Sequence, residues 1–281
     1  MTYSELMADG VKLLTDAGFP EARTDVRVLL FHVCNLDFMS FLRDGEMQAA
    51  TEQEERFREM LERRMNHEPV QYITGEQEFC GLSFCVQPGV LIPRPETELL
   101  AEAVFTDAKG KRVLDMCTGS GCIAVTVAKL GTPAFTAASD YSAEALCVAK
   151  KNAKRLDADV TFFHGDLFEN VEGAYDIIVS NPPYIKSKVI EELMPEVRNF
   201  EPRMALDGTE DGLLFYRRIT EEAKRYLKPG GRLMFEIGHD QGEEVAGLLS
   251  TEGYGSVEVK KDYAGLDRMV FAVWPGDNKE I

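Results

Sequence analysis

The sequence contains few of the residues that build metal sites and no segment suited to a membrane. Its six cysteines include no C-x-x-C pair and its four histidines are scattered, so we predict no metal site. No apolar run approaches the length of a membrane span, and the first ten residues lack the basic and apolar blocks of a signal peptide. We therefore expect a cytoplasmic protein with free thiols and no membrane partner.

Basic residues are also scarce relative to acidic ones. The chain has 31 Lys and Arg against 48 Asp and Glu, which gives a formal net charge of −17. Proteins that bind naked nucleic acid usually carry clusters of Lys and Arg, so we expect no direct nucleic-acid binding. A basic protein or an RNA-containing assembly remains compatible with this charge. The length of 281 residues fits one large domain and a small one.

The first 74 residues have the apolar periodicity of helices. One helix is predicted over 4–17, a second after Pro20, and a third after Thr51, which forms a capping-box pattern with Glu54. We assign 1–74 to a helical domain and hypothesise that it recognises a partner. The sequence is equally compatible with a domain that only packs and solubilises.

A different pattern follows this domain. Residues 75–92 alternate apolar and turn residues, with Gly81 and the pair Pro88-Gly89 at the turns, and predict a β-hairpin linker. The stiff segment 93–98 then opens a helix that runs to about Phe105. This segment is either an ordinary proline-rich helix entry or a wall beside a site.

From residue 111 onward, strand and helix patterns alternate, which defines a third region over 93–281. Strands are predicted at 112–116, 135–140, 160–165, 175–180 and 231–237, and helices at 121–130, 142–156, 212–227 and 240–251. Two final strands, 254–261 and 267–274, form an antiparallel hairpin. The alternation predicts an α/β fold, with a seven-stranded, mostly parallel sheet and helices on both faces. We expect the polar tail after Trp274 to fray.

The stretch D-I-I-V-S-N-P-P-Y, residues 176–184, predicts a buried strand that stops at two prolines. Asn181 and Pro182 would then offer two carbonyl acceptors at the carboxyl end of a strand, the edge where α/β sheets bind ligands. Two acceptors suit the two hydrogens of a planar –NH2 group, and Tyr184 can pack on its flat face. The alternative is a strand-ending turn with a solvent-facing Asn.

A glycine-rich loop follows the first strand of the alternating region. It runs from Asp115 through Cys117, Thr118, Gly119, Ser120 and Gly121, where glycine lets the backbone pass close under a ligand. Asp140 ends the second strand, and Asp166 ends the third, ahead of Leu167 and Phe168. An acid at position 140 suits the two hydroxyls of a ribose, and an acid followed by apolar side chains at 166–168 suits an adenine. The alternative for all three acids is helix N-capping.

The loop by itself does not choose the cofactor. Gly119-x-Gly121-x-x-Ala124 fits the dinucleotide fingerprint, and Asp140 has the spacing expected for an NAD ribose. Three features favour S-adenosylmethionine: Asp115 suits the cationic methionine end, a hydride-transfer enzyme needs no N-P-P-Y group, and the chain finishes with a hairpin instead of a second substrate domain.

These motifs together resemble the peptide chain release factor glutamine methyltransferases. The resemblance is carried by D-M-C-T-G-S-G at 115–121, N-P-P-Y at 181–184, I-P-R-P-E-T-E at 92–98 and E-P-R-M-A-L-D-G-T-E-D-G-L at 201–213. It covers nearly the whole chain. N-P-P-Y alone is shared with adenine-N6 DNA methyltransferases and other amide or amine methylases, whereas the combination is much more specific.

The resemblance implies a class I, Rossmann-like methyltransferase. The enzyme would transfer a methyl group to the side-chain amide nitrogen of the glutamine in the Gly-Gly-Gln motif of release factors. Carried over by motif, 117–121 and Asp140 would line the cofactor, 166–168 would flank its adenine, and 181–184 would hold the glutamine. Cys117 stands where many relatives have glycine. Segment 201–213 is either a loop that caps the next helix or, as the resemblance suggests, part of the substrate approach.

The mechanism that we expect is direct in-line transfer. Asn181 would contact both substrate and cofactor, Pro183 would complete the substrate site, and Asn181, Pro182 and Tyr184 would be the catalytic group. Four alternatives remain: a methylase of a ribosomal-protein glutamine, an adenine-N6 nucleic-acid methylase, a silent cofactor-binding adaptor and an NAD-dependent reductase.

Overall fold

The computed structural model describes residues 1–276, whose contacts divide them into two units. The first unit comprises Met1–Glu76 and Met194–Phe200, and the second comprises Gln77–Leu193 and the chain from Glu201 onward. Most of the tail that we expect to fray lies outside the described residues.

The first unit is helical. Its helices are α1 (Tyr3–Asp16), α2 (Ala22–Cys34), α3 (Phe38–Asp44), α4 (Thr51–Met65), α5 (Val70–Thr74) and, after a long excursion of the chain, α9 (Pro195–Phe200). Gly10 lets α1 and α2 approach closely, because a Cβ atom there would lie 2.9 Å from Val26 Cγ1. Arg64 is buried and joins Asp25 to Glu196 at 2.7 and 2.9 Å. This ion-pair triad fastens α9 to α2 and α4.

The capping box that we predicted for α4 is wrong by one residue. The cap position is Ala50, whose N–H donates to the Gln53 side chain at 3.0 Å. Glu54 instead pairs with the amino terminus of Met1 at 3.0 Å, because an ammonium group is a stronger partner than a backbone N–H. The sequence contained a complete box elsewhere, between Thr2 and Glu5, which begins α1.

The predicted hairpin is formed by β1 (Glu76–Phe79) and β2 (Leu82–Cys85), and all of it except Glu76 belongs to the second unit. Its turn residues Cys80 and Gly81 both have positive φ, as a two-residue hairpin turn requires. The remaining elements are α6 (Pro95–Asp107), β3 (Arg112–Met116), α7 (Cys122–Leu130), β4 (Phe135–Asp140), α8 (Ala143–Arg155), β5 (Thr161–His164), β6 (Tyr175–Ser180), α10 (Leu214–Ala223), β7 (Leu227–Glu236), α11 (Gly242–Thr251), β8 (Gly255–Lys261) and β9 (Asp267–Val273).

Seven of these strands form one sheet in the order β5-β4-β3-β6-β7-β9-β8. Strands β3 to β7 are mutually parallel, and β9 is antiparallel to both of its neighbours. This confirms the predicted α/β class and the mostly parallel, seven-stranded sheet. Strand β7 begins at Leu227, four residues before the predicted start, because Leu227 pairs with Tyr175 across a register shift.

Helices cover both faces of the sheet. One core contains Leu100 of α6 and Ile123 of α7, and the other contains Ile219 of α10 and Leu249 of α11. In this doubly wound arrangement the parallel strands end at one common edge. Within residues 1–276 no helix is long and apolar enough to cross a membrane.

Candidate active site

A cavity of about 540 Å³ opens at the carboxyl ends of the parallel strands. Its volume is in the range of small-molecule sites. The loops after β3, β4, β5 and β6 contribute to its wall, and so do residues 89–97, 202–207 and part of α10. The topology therefore brings the segments that carried the sequence motifs to a single site.

The glycine-rich loop forms one wall of this cavity and has left-handed backbone at three positions. Cys117, Gly119 and Gly121 have φ of 61°, 56° and 81°. Gly121 is the N-cap of α7, and a Cβ atom there would lie 3.0 Å from Ala149 Cβ, so only glycine fits. A Cβ atom on Gly119 would meet no other atom within 4 Å, which leaves room for a ligand. Cys117, Thr118, Gly119 and Ser120 line the cavity, whereas Gly121 does not.

Asp115 lies behind this loop with 1% of its surface exposed. Its Oδ2 accepts the Thr118 hydroxyl at 2.5 Å and the Ala124 N–H at 3.1 Å, so the acid caps the first turn of α7 from the preceding strand. Its Oδ1 is buried and has no hydrogen-bond partner among the described residues. Burial raises the pKa of Asp115 to about 7, and the charge of Asp140 adds to the effect. Asp115 does not line the cavity, so its unsatisfied oxygen lies behind the loop and its contact with a cofactor stays a prediction.

Asp140 ends β4 at the cavity wall. Its two oxygens accept the Gly119 and Ser142 N–H groups, each at 2.8 Å, while Ser142 itself is the N-cap of α8. Burial raises the pKa of Asp140 against these two hydrogen bonds. Each carboxylate oxygen has a second lone pair, so the group can still accept a hydroxyl from a ligand.

The three residues predicted to flank an adenine separate in the structure. Asp166 and Leu167 line the cavity, and Arg218 donates to both oxygens of Asp166 at 3.0 Å. Phe168 points into the core, where its ring stacks on Tyr226 with the centroids 4.7 Å apart. Phe168 is not part of the cavity wall, and its proposed contact with the cofactor stays a prediction.

The N-P-P-Y turn begins directly after β6. Asn181 and Pro183 line the cavity, whereas Pro182 and Tyr184 do not. The Asn181 Nδ2 donates to the Thr97 hydroxyl at 3.2 Å, which leaves the amide oxygen for a ligand. The Tyr184 hydroxyl lies 3.5 Å from Glu236 Oε1, and the substrate contacts expected of Pro182 and Tyr184 stay predictions.

Segment 201–213 packs directly against this turn. A Cβ atom on Gly208 would lie 2.7 Å from Tyr184 Cα, and one on Gly212 would lie 2.4 Å from the Tyr184 carbonyl oxygen. The Gln241 side chain donates to the Tyr184 and Gly212 carbonyls at 3.1 and 3.3 Å. The two glycines are therefore required by close backbone packing behind the turn, beyond their role in a loop.

Sequence reasoning considered segment 93–98 as a wall beside a site, and Pro93, Arg94 and Thr97 do line the cavity, but it gave no individual role to several residues around it. Arg94 pairs with the buried Glu201, and Thr97 contacts Asn181, although each partner is about a hundred residues away in the chain. Glu236 is 2% exposed, and burial raises its pKa to about 7. The signal for Glu236 was available, since it is a strand-final acid like Asp140. Within residues 1–276 no three His, Cys, Asp or Glu side chains come together to hold a metal.

Solved structures with a similar fold include methyltransferases. The chain covers 90% of a methyltransferase from Pyrococcus furiosus with a TM-score of 0.53 and 22% identity, over 70% of its own length. It also covers 49% of a 16S rRNA methyltransferase of T. thermophilus bound to AdoMet and guanosine, with a TM-score of 0.52 and 19% identity over 71% of its own length. At these identities the likeness shows the fold, which confirms the expected class I methyltransferase architecture.

Comparison with sequences is more specific. The model of the PrmC N-terminal domain matches residues 5–75, and that of the methyltransferase small domain matches 84–197. The release factor glutamine methyltransferase of Geobacter sulfurreducens is 44% identical over 92% of this chain and 91% of its own. The corresponding protein of Clostridium acetobutylicum is 42% identical over 90% of this chain and 91% of its own. The chain therefore belongs to the release factor glutamine methyltransferase family.

Proposed function

We propose that this protein methylates the side-chain amide nitrogen of the glutamine in the Gly-Gly-Gln motif of peptide chain release factors, with S-adenosylmethionine as methyl donor. The names of its relatives support the enzyme class and the release factor substrate. The observation that carries the chemistry is Asn181, whose amide nitrogen is engaged by Thr97 while its oxygen is left at a cavity edge.

The cavity fits the proposed cofactor. It has a suitable volume, open space over Gly119 and an acid at the end of β4, and the unsatisfied buried oxygen of Asp115 lies behind the loop that forms one wall. The loop residues 117–120 and Asp140 would hold the nucleoside part, Asp166 and Leu167 would flank the base, and Asp115 would face the cationic end. When bound, S-adenosylmethionine supplies an electrophilic methyl group on sulfur.

The chain's own residues orient the acceptor nitrogen. The Asn181 side-chain oxygen accepts one N–H of the glutamine amide and the Pro182 carbonyl accepts the other, which favours charge build-up on nitrogen and turns it toward the methyl group. A carboxamide nitrogen is a weak nucleophile because its lone pair is delocalised, so positioning is the main contribution. Such positioning can supply up to about 7–11 kcal/mol. Transfer would be direct, with no covalent intermediate on the protein. The methyl–sulfur bond would break as the methyl–nitrogen bond forms, the cofactor would leave as a neutral thioether, and the amide nitrogen would lose one proton to solvent.

Labelled S-adenosylmethionine with a full-length bacterial release factor tests the proposal. We expect label on the release factor and none on a Gly-Gly-Gln→Gly-Gly-Ala version of it. Label on both proteins would contradict the target residue. Label on neither, with cofactor binding intact, would contradict the substrate and favour the glutamine of a ribosomal protein or another amide.

A further inference from the structure

The Asn181 side chain presents a problem of orientation that its own shape does not solve. Its oxygen and nitrogen are nearly the same size, so only hydrogen-bond partners decide which of them faces a substrate. An –NH2 group turned toward the glutamine amide would place donors against donors. Methylation under the proposed function therefore requires that the Asn181 nitrogen be held away from the substrate.

Thr97 holds that nitrogen. It is the third residue of α6, 2% exposed, and its hydroxyl lies 3.2 Å from Asn181 Nδ2. A hydroxyl can donate as well as accept, so Thr97 alone would tolerate either orientation of the amide. The Thr97 hydroxyl is restricted to accepting from Asn181 only if another group accepts its hydrogen bond.

Glu236 is the group that can accept this hydrogen bond. It ends β7, it is 2% exposed, and its Oε2 is buried with no hydrogen-bond partner among the described residues. An ionised carboxylate accepts hydrogen bonds and donates none. The groups close enough to influence its pKa are Thr97 and Glu96 from α6, Tyr184 from the N-P-P-Y turn and Arg268 from β9.

We propose that Glu236 and Thr97 form a relay that sets the polarity of the Asn181 amide. The Thr97 hydroxyl donates to the Glu236 carboxylate, so that its lone pairs face Asn181 and only the Asn181 nitrogen can face Thr97. The Asn181 oxygen is thereby directed to the substrate amide. Thr97 and Glu236 are positioning residues, which act on methyl transfer through Asn181, and the inference rests on the proposed function.

Three variants and a matched control test the relay. Thr97→Val keeps the shape of the side chain and removes the hydroxyl, whereas Thr97→Ser keeps the hydroxyl. Thr126→Val is the control, because Thr126 is also a fully buried helical threonine and its Oγ1 has no partner among the described residues. Glu236→Gln replaces an acceptor-only group by one that can donate or accept.

Single-turnover methyl transfer at saturating cofactor and release factor gives the first measurement. We expect at least a tenfold loss of rate in Thr97→Val, recovery to within threefold of the wild type in Thr97→Ser, an intermediate loss in Glu236→Gln and no change in Thr126→Val. The cofactor Kd should stay within twofold throughout. An unchanged rate in Thr97→Val, or failure of Thr97→Ser to recover activity, would overturn the relay.

A second measurement does not depend on the substrate. The Asn181 side-chain amide signal in a ¹H–¹⁵N spectrum, assigned by its loss in Asn181→Asp, should shift in Thr97→Val and Glu236→Gln and stay in place in Thr126→Val. An Asn181 signal that does not shift in Thr97→Val or in Glu236→Gln would refute the relay even if methyl transfer is confirmed. If the signals respond but the wild type methylates no release factor, the relay stands and the proposed substrate fails.

Discussion

We expect cofactor binding to release a proton from Asp115. In the free protein burial raises the pKa of this carboxyl to about 7, and one of its oxygens has no partner among the described residues. A cation brought to within about 4–6 Å of a carboxyl lowers its pKa by about 1–3 units. The cationic end of S-adenosylmethionine should therefore bind with the ionised form.

The magnitude follows from the two states. An ordinary Asp has a pKa of about 3.9. A value near 7 means that the free protein favours the neutral form of Asp115 by about 4 kcal/mol more than water favours it for an ordinary Asp. The pKa is high in the free protein and lower in the complex. The cofactor should therefore bind with full affinity above about pH 7, and its affinity should fall as the pH drops below 7. If the complex has a pKa near 5, Kd at pH 6 should be about tenfold higher than at pH 8.

Titration calorimetry in two buffers of different ionisation enthalpy measures the proton directly. At pH 6 we expect about one proton released per cofactor bound, and almost none in Asp115→Asn, whose amide oxygen can still accept the bonds that Oδ2 accepts. Asp140→Asn is the comparison, because it should weaken binding at every pH yet keep the proton release. Equal proton release in the wild type and in Asp115→Asn would refute the reasoning.

Three further outcomes follow from the contacts. Asn181→Ala should lower kcat at least tenfold, about 1.4 kcal/mol, with the cofactor Kd unchanged, measured by steady-state kinetics and calorimetry. Gly212→Ala should lower the free energy of unfolding by about 1–3 kcal/mol and impair turnover, because φ is +77° and the new Cβ would meet a carbonyl oxygen at 2.4 Å. Gly247→Ala, with open space around its Cβ, should cost nothing in the same urea titration. Arg64→Met should destabilise by about 3 kcal/mol, because it leaves two carboxylates without their buried partner. Loss of the exposed ion pair in Arg217→Met should cost under about 1 kcal/mol.

The parts of the site that could be predicted from the sequence are the ends of strands. Asp140 and Asn181 each follow a short apolar run, and the carboxyl ends of parallel strands share one edge whatever the details of packing. Local pattern therefore predicted both the sheet and the polar residues along its edge. The same reasoning applied to Glu236 would have found it.

The parts that could not be predicted depend on contacts between distant segments. Thr97 meets Asn181 across 84 positions and Arg94 meets Glu201 across 107, and no local periodicity encodes such pairs. The helices α3, α5 and α9 have seven, five and six residues, too few to show a full apolar period. Phe168 was predicted near the base because it follows Asp166, but its ring turns into the core.

The two buried acids of the site lie on either side of the strand that carries Asn181. In the order β3-β6-β7, Asp115 is the last residue but one of the strand on one side and Glu236 is the last residue of the strand on the other, and burial raises the pKa of each to about 7. The proposed chemistry needs both acids ionised: Asp115 to face the cationic end of the cofactor, and Glu236 to accept the hydrogen bond of the Thr97 hydroxyl. Below about pH 6 the plot of log kcat/KM against pH should therefore approach a slope of about two in the wild type. The slope should fall to about one in Glu236→Gln, because a single carboxyl then titrates. A wild-type slope of one, or a slope of two that persists in that variant, would show that the two acids do not act together on methyl transfer.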